Sequence, residues 1–354
     1  MMTHRERVLR TFRFQETDRI AYDLMEGAVW AELLSYFQAT RGCADPLAVL
    51  DYLDTDLRWL WIMDRTAPLP QSQPEPRGSS EAIVSKHVAV GPLADAQTVA
   101  EVEAYAWPDP ARWVPPDFAQ ARQRWPDHAL VFLPGWRPLF WGTCEAFGVE
   151  AALTNLIAEP ALFEAAVRCI HERYMDGLAR GLQAARGYCD ICWLGDDFSS
   201  QQAMLLRPEH WRRFIKPYLA EQVQLARSHG LYVLYHSCGA VRPVLPDLID
   251  IGINGLLVFQ TKARGMDAQS IARDFGGRLV FYGGMDVQYL LSFGSTEEVW
   301  AEVQANMQAF SRCGGYVVAN SHHRVATISG RNIEEMCRAA RQVSDLSQPS
   351  SEDA

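Results

Sequence analysis

The sequence has no long hydrophobic run, no excess of basic residues and no dense set of cysteines. No apolar run reaches the roughly 18 residues that a membrane span needs, and the N-terminus lacks the apolar core of a signal peptide, so we expect a cytoplasmic protein. The 43 acidic residues outnumber the 33 basic ones and give a net charge of −10, which disfavours nucleic acid and anionic membranes as partners. Eight cysteines in 354 residues are too sparse for a disulfide scaffold and are expected to be reduced thiols.

Several sequence motifs are missing as well. Neither G-x-G-x-x-G nor G-x-x-x-x-G-K-[ST] follows a strand-like run, which removes the main support for an open, doubly wound nucleotide-binding sheet, the second architecture that the pattern allows. G-x-S-x-G is absent and no Ser/His/Asp set can be recognised, so an acyl-transfer hydrolase has no support. The 48% hydrophobic and 21% charged residues are those of a folded globular protein.

The runs that are present predict an α/β protein. In the second half of the chain, strand-like runs alternate with helical segments at residues 160–186, 208–229, 295–312 and 332–343, and this alternation indicates parallel pairing. Eight such units fit a (β/α)8 TIM barrel, which grows by insertion beyond its typical length of about 250 residues. The eight strand-like runs are residues 20–25, 57–63, 129–136, 190–197, 231–238, 255–260, 279–286 and 316–323.

We expect one domain over residues 1–345, followed by a frayed tail at 346–354. The capping box Thr3-x-x-Glu6 predicts an N-terminal helix that ends near Phe12. Residues 67–118 are so rich in proline that continuous helix or central strand is excluded, so we place an insertion there, with a small hairpin around residues 82–90.

Polar side chains end five of the predicted strands, at the end of a barrel where active sites lie. Asp196 and Asp197 are adjacent, so one should face the mouth while the other faces a loop or caps a helix. Asp286 ends the seventh predicted strand. These three carboxylates are the candidate catalytic residues, with helix capping or surface exposure as the alternative for the first two.

His236 and Cys238 are candidate metal ligands. They are two residues apart on a predicted strand, so both side chains point the same way, as a two-ligand metal clip requires. A buried cysteine beside a core histidine is the structural alternative. A third ligand could come from His322 or His323 at the end of the eighth strand, of which only one can face inward.

The remaining cysteines and the tryptophans favour structural roles. Cys189-x-x-Cys192 begins a strand, where positions i and i+3 face opposite ways, and Cys313 lies at the wrong end of the barrel for catalysis. Four tryptophans near strand ends could line a substrate cavity, although core packing is the simpler interpretation; they are Trp59, Trp61, Trp136 and Trp141.

A set of motifs extends over nearly the whole chain. It comprises Arg5-Glu6-Arg7-Val8 with Thr17-Asp18-Arg19-Ile20, Gly195-Asp196-Asp197, Pro208-Glu209-His210-Trp211 with Phe214-Ile215-Lys216-Pro217, His236-Ser237-Cys238-Gly239, Tyr282-Gly283-Gly284-Met285-Asp286, and Gly314-Gly315-Tyr316 leading to Asn320-Ser321-His322. With these residues the chain resembles the uroporphyrinogen decarboxylase superfamily, which comprises true decarboxylases and zinc-containing, cobalamin-linked methyltransferases. The resemblance implies a (β/α)8 barrel, in agreement with the eight predicted units.

The resemblance also implies a branch. True decarboxylases carry an Arg-Gln-Ala-Gly-Arg-Tyr segment that holds substrate carboxylates, whereas residues 22–27 of this chain read Tyr-Asp-Leu-Met-Glu-Gly. The methyltransferases bind zinc through His-x-Cys and a distant cysteine. His236 and Cys238 match the first two ligands, and the third position falls on His322 instead of a cysteine.

The expected function is therefore methyl transfer between a corrinoid carrier and a small substrate at a zinc site, in which Asp196, Asp197 and Asp286 orient the substrate or act as a displaceable ligand. Cobalamin, on a corrinoid-binding partner protein, is the expected methyl carrier. One alternative is metal-free decarboxylation of a tetrapyrrole or other carboxylate, with one of these aspartates stabilising a cationic intermediate. The other is a barrel that binds a corrinoid or a partner protein without catalysis.

Overall fold

Eight parallel strands curl into one sheet, as the alternating sequence pattern predicts. The computed structural model describes residues 2–64, 90–136, 138–322 and 327–342. Each strand of the sheet lies within one of the eight predicted runs: β1 (Ala21–Tyr22), β2 (Leu57–Trp61), β5 (Ala129–Leu133), β6 (Ile191–Gly195), β7 (Tyr232–His236), β8 (Gly255–Phe259), β9 (Val280–Met285) and β10 (Tyr316–Asn320). The order of these strands in the sheet is β1-β10-β9-β8-β7-β6-β5-β2, and every neighbouring pair is parallel.

The two end strands of this sheet, β1 and β2, are joined through one aspartate. The backbone N–H of Asp56 donates to the carbonyl oxygen of Tyr22 at 3.1 Å, and the backbone N–H of Tyr22 donates to the Asp56 carboxylate at 2.9 Å. Asp56 is fully buried and also accepts hydrogen bonds from Arg7 and Arg19. A charged hydrogen-bond network therefore closes the barrel at the N-terminal end of β2.

Helices follow the strands and cover the outside of the sheet. They are α1 (His4–Phe12), α2 (Ala31–Arg41), α3 (Pro46–Leu53), α4 (Val99–Ala104), α5 (Phe118–Arg124), α6 (Leu139–Phe147), α7 (Val149–Ala158), α8 (Pro160–Ala185), α9 (Pro208–Phe214), α10 (Lys216–Ser228), α11 (Leu245–Asp250), α12 (Ala268–Phe275), α13 (Leu290–Phe293), α14 (Thr296–Phe310) and α15 (Gly330–Gln342). Thr3 caps α1 by accepting from the backbone N–H of Glu6, and Ser295 and Glu298 form a complete capping box at α14. None of the described helices is long and apolar enough to cross a membrane.

The single helix predicted over residues 208–229 is wrong in one respect, because the structure has two helices there. The first ends at Phe214 and the second begins at Lys216, with Ile215 between them. Pro217 lies in the first turn of α10. Its ring lacks an N–H and clashes with the carbonyl of the preceding turn, so the helix breaks and restarts.

The insertion predicted at residues 67–118 stays a prediction, because residues 65–89 lie outside the described part of the chain. A short antiparallel ribbon pairs β3 (Met63–Asp64) with β4 (Trp113–Val114), and the ribbon and α4 are the regular elements described in this region besides a helical turn at Pro110–Arg112. The predicted hairpin at residues 82–90 lies outside the described residues, except for Val90.

Side chains of the strands alternate between two cores. On β6, Ile191 and Trp193 belong to the cluster inside the barrel, whereas Cys192 and Leu194 belong to the larger cluster between sheet and helices. On β7, Leu234 points inside. Because the side-chain period of a strand is two, the next inward position on β7 is His236.

Candidate metal centre

His236 and Cys238 lie at the carboxyl end of β7, where the strand predicted over residues 231–238 places them. His236 is the last residue of the strand and is 5% exposed, and Cys238 is partly buried. The Sγ atom of Cys238 lies 3.7 Å from Nε2 of His236. The two side chains thus present one nitrogen and one sulfur to the same point.

Asp197 completes a set of three donor atoms. It follows β6, which is the neighbour of β7, and its Oδ1 atom lies 3.7 Å from Nε2 of His236. Oδ1 also accepts from the backbone N–H of Cys238 at 3.0 Å, which holds the carboxylate at this position. One ligand atom from each of Asp197, His236 and Cys238 lies within 4.8 Å of the other two. Nitrogen, thiolate and carboxylate donors at this spacing fit a zinc ion.

The surroundings of Cys238 favour its protonated thiol when no metal is bound. Burial, together with the nearby Asp197 carboxylate, raises the pKa of Cys238 well above that of an ordinary cysteine. A thiol must lose its proton to bind a metal, so metal affinity at this centre should depend on pH.

Asp196, the neighbour of Asp197, has a capping contact. It is buried, and its carboxylate accepts from the backbone N–H groups of Phe140 and Trp141 in the first turn of α6, at 2.7 and 3.0 Å. Burial raises the pKa of Asp196 to about 7, against these two bonds, which lower it. The adjacent aspartates therefore divide as expected: Asp197 faces the mouth and Asp196 caps a helix.

Glu26 contacts the other nitrogen of His236. Its Oε1 atom lies 2.8 Å from Nδ1 of His236, and both side chains are buried. Histidine ligands of metals commonly bond a carboxylate in this way, which fixes the tautomer that leaves Nε2 available. Sequence reasoning did not single out Glu26; the only signal was its place just after the first predicted strand, where barrel chemistry usually lies.

Tryptophans surround the His236 ring. Trp136 and Trp193 contact it edge to face, with ring centroids at 5.5 and 5.6 Å, and Trp61 packs against Trp193. Gly195 lies between them: a Cβ atom at this residue would be 2.9 Å from the Cβ of His236 and 3.1 Å from each of the two indoles. These rings exclude water from one side of the centre. Of the two other tryptophans considered, Trp59 donates a hydrogen bond to Asp23 and Trp141 packs against the outer core.

The end of β10 bears the third ligand predicted from the sequence, His322. On this strand Val317 and Ala319 point inside the barrel, so the next inward position is Ser321, which is buried. His322 is partly buried, and its carbonyl oxygen accepts from the side chain of Asn320 at 2.8 Å. It is not among the three clustered donors, and His323 lies outside the described residues. Its metal binding stays a prediction.

Two further carboxylates lie near the mouth. Asp286 accepts from the backbone N–H groups of Gln288, Tyr289 and Leu290, and so caps α13; its catalytic role stays a prediction. Asp23, which follows β1, is fully buried and accepts from Nε1 of Trp59 at 2.7 Å and from the Tyr282 hydroxyl at 2.8 Å. Burial raises the pKa of Asp23 to about 7.

The other cysteines considered lie apart from this centre. Cys189 and Cys192 are both buried in the core between sheet and helices, and burial raises the pKa of Cys189 to about 12. Cys313 lies just before β10, at the opposite end of the barrel. Their environments are those of structural thiols.

Comparison with known families identifies the family of the chain. The family model described as uroporphyrinogen decarboxylase (URO-D) matches residues 144–343, more than half of the chain. The chain belongs to the uroporphyrinogen decarboxylase family. The match contains β6 to β10, and with them Asp197, His236 and Cys238. No curated protein sequence matches the chain.

Solved structures resemble this family member in fold. A methyltransferase from Methanosarcina mazei is 17% identical and has a TM-score of 0.65, with 96% of this chain and 99% of that chain covered. An L-ribulose 3-epimerase is 11% identical and has a TM-score of 0.48, with 94% and 99% covered. The first similarity shows a shared fold over nearly the whole length, and the second is too low to carry an argument.

Proposed function

We propose that this member of the uroporphyrinogen decarboxylase family is a metal-dependent methyltransferase, which moves a methyl group between a corrinoid carrier and a small substrate. The observation that carries the proposal is the cluster of Asp197, His236 and Cys238, whose donor atoms lie within 4.8 Å of one another at the mouth of the barrel. A structurally similar protein is named as a methyltransferase, which supports the same reaction class.

Nε2 of His236, Sγ of Cys238 and a carboxylate oxygen of Asp197 would hold the metal, which we take to be zinc from this donor set. A zinc ion bound there supplies a Lewis acid that lowers the pKa of a substrate thiol or polarises the leaving atom of a methyl donor. On metal binding the thiol proton of Cys238 would have to pass to solvent, because the nearby acceptors, Oδ1 of Asp197 and Nε2 of His236, would themselves hold the metal. Trp136 and Trp193 shield the imidazole from water, which strengthens the electrostatic interactions at the site.

The position of the acidic residues disfavours a decarboxylase that binds a polycarboxylate. In place of an arginine-bearing segment, the turn after β1 carries two buried acidic residues, Glu26 against His236 and Asp23 against Trp59 and Tyr282. Carboxylates of a substrate would meet like charges there, and unpaired charges in a closed pocket are costly. Methyl transfer therefore fits the site better than decarboxylation of a uroporphyrinogen.

Zinc stoichiometry tests the proposed ligands. We expect one zinc per chain in the wild type and loss of most of it in Cys238→Ser and in Asp197→Asn, because two remaining protein ligands hold zinc poorly. Cys313→Ser is the matched control, since it removes a thiol from the other end of the barrel. If His322→Ala loses zinc and Asp197→Asn keeps it, the third ligand comes from the end of β10, as the sequence resemblance implies.

Methyl transfer is tested on the zinc-loaded protein. It is incubated with cob(I)alamin and a panel of methylated amines, thioethers and methoxyarenes, and separately with methylcobalamin and thiols, while the corrinoid spectrum is followed. We expect a spectral change with at least one substrate that is lost in Cys238→Ser and retained in Cys313→Ser. If every methyl assay is silent and uroporphyrinogen loses carbon dioxide at an enzymatic rate, the decarboxylase alternative replaces this proposal.

A further inference from the structure

Glu26 and His236 come from opposite sides of the barrel. In the strand order of the sheet, four steps separate β1 from β7, and in a closed ring of eight strands this separation is the largest that exists. The 2.8 Å contact between Oε1 of Glu26 and Nδ1 of His236 therefore spans the mouth. The side chains of His236 and Glu26 are only 7% and 4% exposed, so water does little to weaken the contact.

The turn that carries Glu26 is held in an unusual conformation. Glu26 has φ 55° and ψ 21°, in the left-handed region that a residue other than glycine rarely adopts. Three strands keep the turn in place: Asn320 of β10 accepts from the N–H of Met25 at 3.0 Å, the Tyr282 hydroxyl of β9 donates to the carbonyl of Leu24 at 3.2 Å, and Trp59 of β2 packs against Gly27. Such backbone strain persists only where surrounding contacts determine it, and it is common at functional sites.

We infer that Glu26 is a positioning residue, which reaches across the mouth to fix the tautomer and the ring orientation of His236. With Nδ1–H donating to the Glu26 carboxylate, the lone pair of Nε2 is directed at the point that Cys238 and Asp197 also face. A histidine held in this way needs no rotation or proton shift before it binds a metal. The consequence for metal affinity rests on the proposed zinc centre, whereas the tautomer of the metal-free protein does not.

Two variants separate this role from a purely structural one. Glu26→Gly removes the carboxylate but suits φ 55°, so the fold should be retained. Glu26→Gln keeps an oxygen that can accept from Nδ1–H. We expect nitrogen NMR of metal-free wild type and Glu26→Gln to show His236 protonated at Nδ1, and that of Glu26→Gly to show a mixture of the two tautomers.

Zinc affinity, measured by competition with a chelator, is the second readout. Loss of a carboxylate partner of a histidine ligand typically weakens metal binding by about 10–100-fold, and we expect this loss in Glu26→Gly, with most of the affinity restored in Glu26→Gln. An unchanged tautomer in Glu26→Gly, or a Glu26→Gln protein as weak in zinc binding as Glu26→Gly, would overturn the inference. Failure of all the proteins to bind zinc would instead remove the proposed function and leave the tautomer measurement to decide the role of Glu26.

Discussion

Loss of charge at Asp56, the residue that joins β1 to β2, should destabilise the barrel. Its carboxylate is fully buried and accepts from His4 at 2.8 Å, from Arg7 at 2.7 Å, from Arg19 at 2.7 and 3.0 Å and from the backbone of Tyr22 at 2.9 Å. Asp56→Asn preserves the shape but leaves these donors facing a neutral amide whose NH2 group is itself a donor.

The expected loss of stability follows from the burial of the ion pair between Asp56 and Arg7. The Arg7 side chain is 3% exposed, so once the Asp56 carboxylate is gone its guanidinium keeps Asp18 as a partner but has almost no water to replace Asp56. Breaking one partner of a buried ion pair costs about 3–5 kcal/mol. With an unfolding entropy of roughly 2.1 cal/mol/K per residue over a chain of this length, the melting temperature should fall by about 4–7 °C.

Differential scanning calorimetry of wild type and Asp56→Asn measures this fall. The matched control is Glu103→Gln, which removes a carboxylate from the exposed ion pair with Arg168 and should cost no more than about 1 kcal/mol. Zinc bound per folded chain should be unchanged in Asp56→Asn, because Asp56 lies at the N-terminal end of β2 and the metal centre lies at the carboxyl ends of β6 and β7. A melting temperature for Asp56→Asn within 1 °C of the Glu103→Gln value, by the same ~2.1 cal/mol/K per residue, would refute the assigned role of this network in closing the barrel.

Three further predictions concern single residues. Hydrogen bonds to Asp54 and Asp56 raise the pKa of His4 to about 9. The stabilising contribution of protonated His4, at most about 3 kcal/mol, should therefore be complete below pH 6.5 and be lost as the pH rises through 9. The difference in melting temperature between wild type and His4→Gln, measured against pH, tests this prediction, and a difference that does not change with pH would contradict it. Gly27→Ala should destabilise the protein by about 1–3 kcal/mol in urea unfolding, because Gly27 has φ +62° and the new Cβ would lie 2.7 Å from Cδ1 of Trp59. An unchanged urea midpoint would show that the turn after β1 accommodates the methyl group without cost. Gly195→Ala should weaken zinc binding by about 10-fold or more, because the new Cβ would lie 2.9 Å from the Cβ of His236 and must displace the imidazole ring. Wild-type zinc affinity in this variant would mean that the position of the ring does not govern metal binding.

Local patterns in the sequence determined the secondary structure and the positions of the polar strand ends. Short apolar runs predict all eight strands, and the Ser295-x-x-Glu298 box predicts the start of α14, because both depend on neighbours within a few residues along the chain. Because side chains alternate along a strand, the two-residue spacing likewise places the His236 and Cys238 side chains on the same side of β7 without knowledge of the fold. Such features require only the geometry of a single element.

Only the tertiary structure decided which residues meet at the mouth and how the barrel closes. Asp197 contacts Cys238 across two neighbouring strands, Glu26 contacts His236 across the full width of the barrel, and Asp56 joins strands that share no ladder. Each contact depends on the closure, curvature and register of the whole sheet, and Glu26 depends in addition on a left-handed backbone that its own side chain disfavours. Residue spacing along the chain does not predict these long-range contacts, because the free energy that stabilises them comes from packing between elements that lie far apart in the sequence.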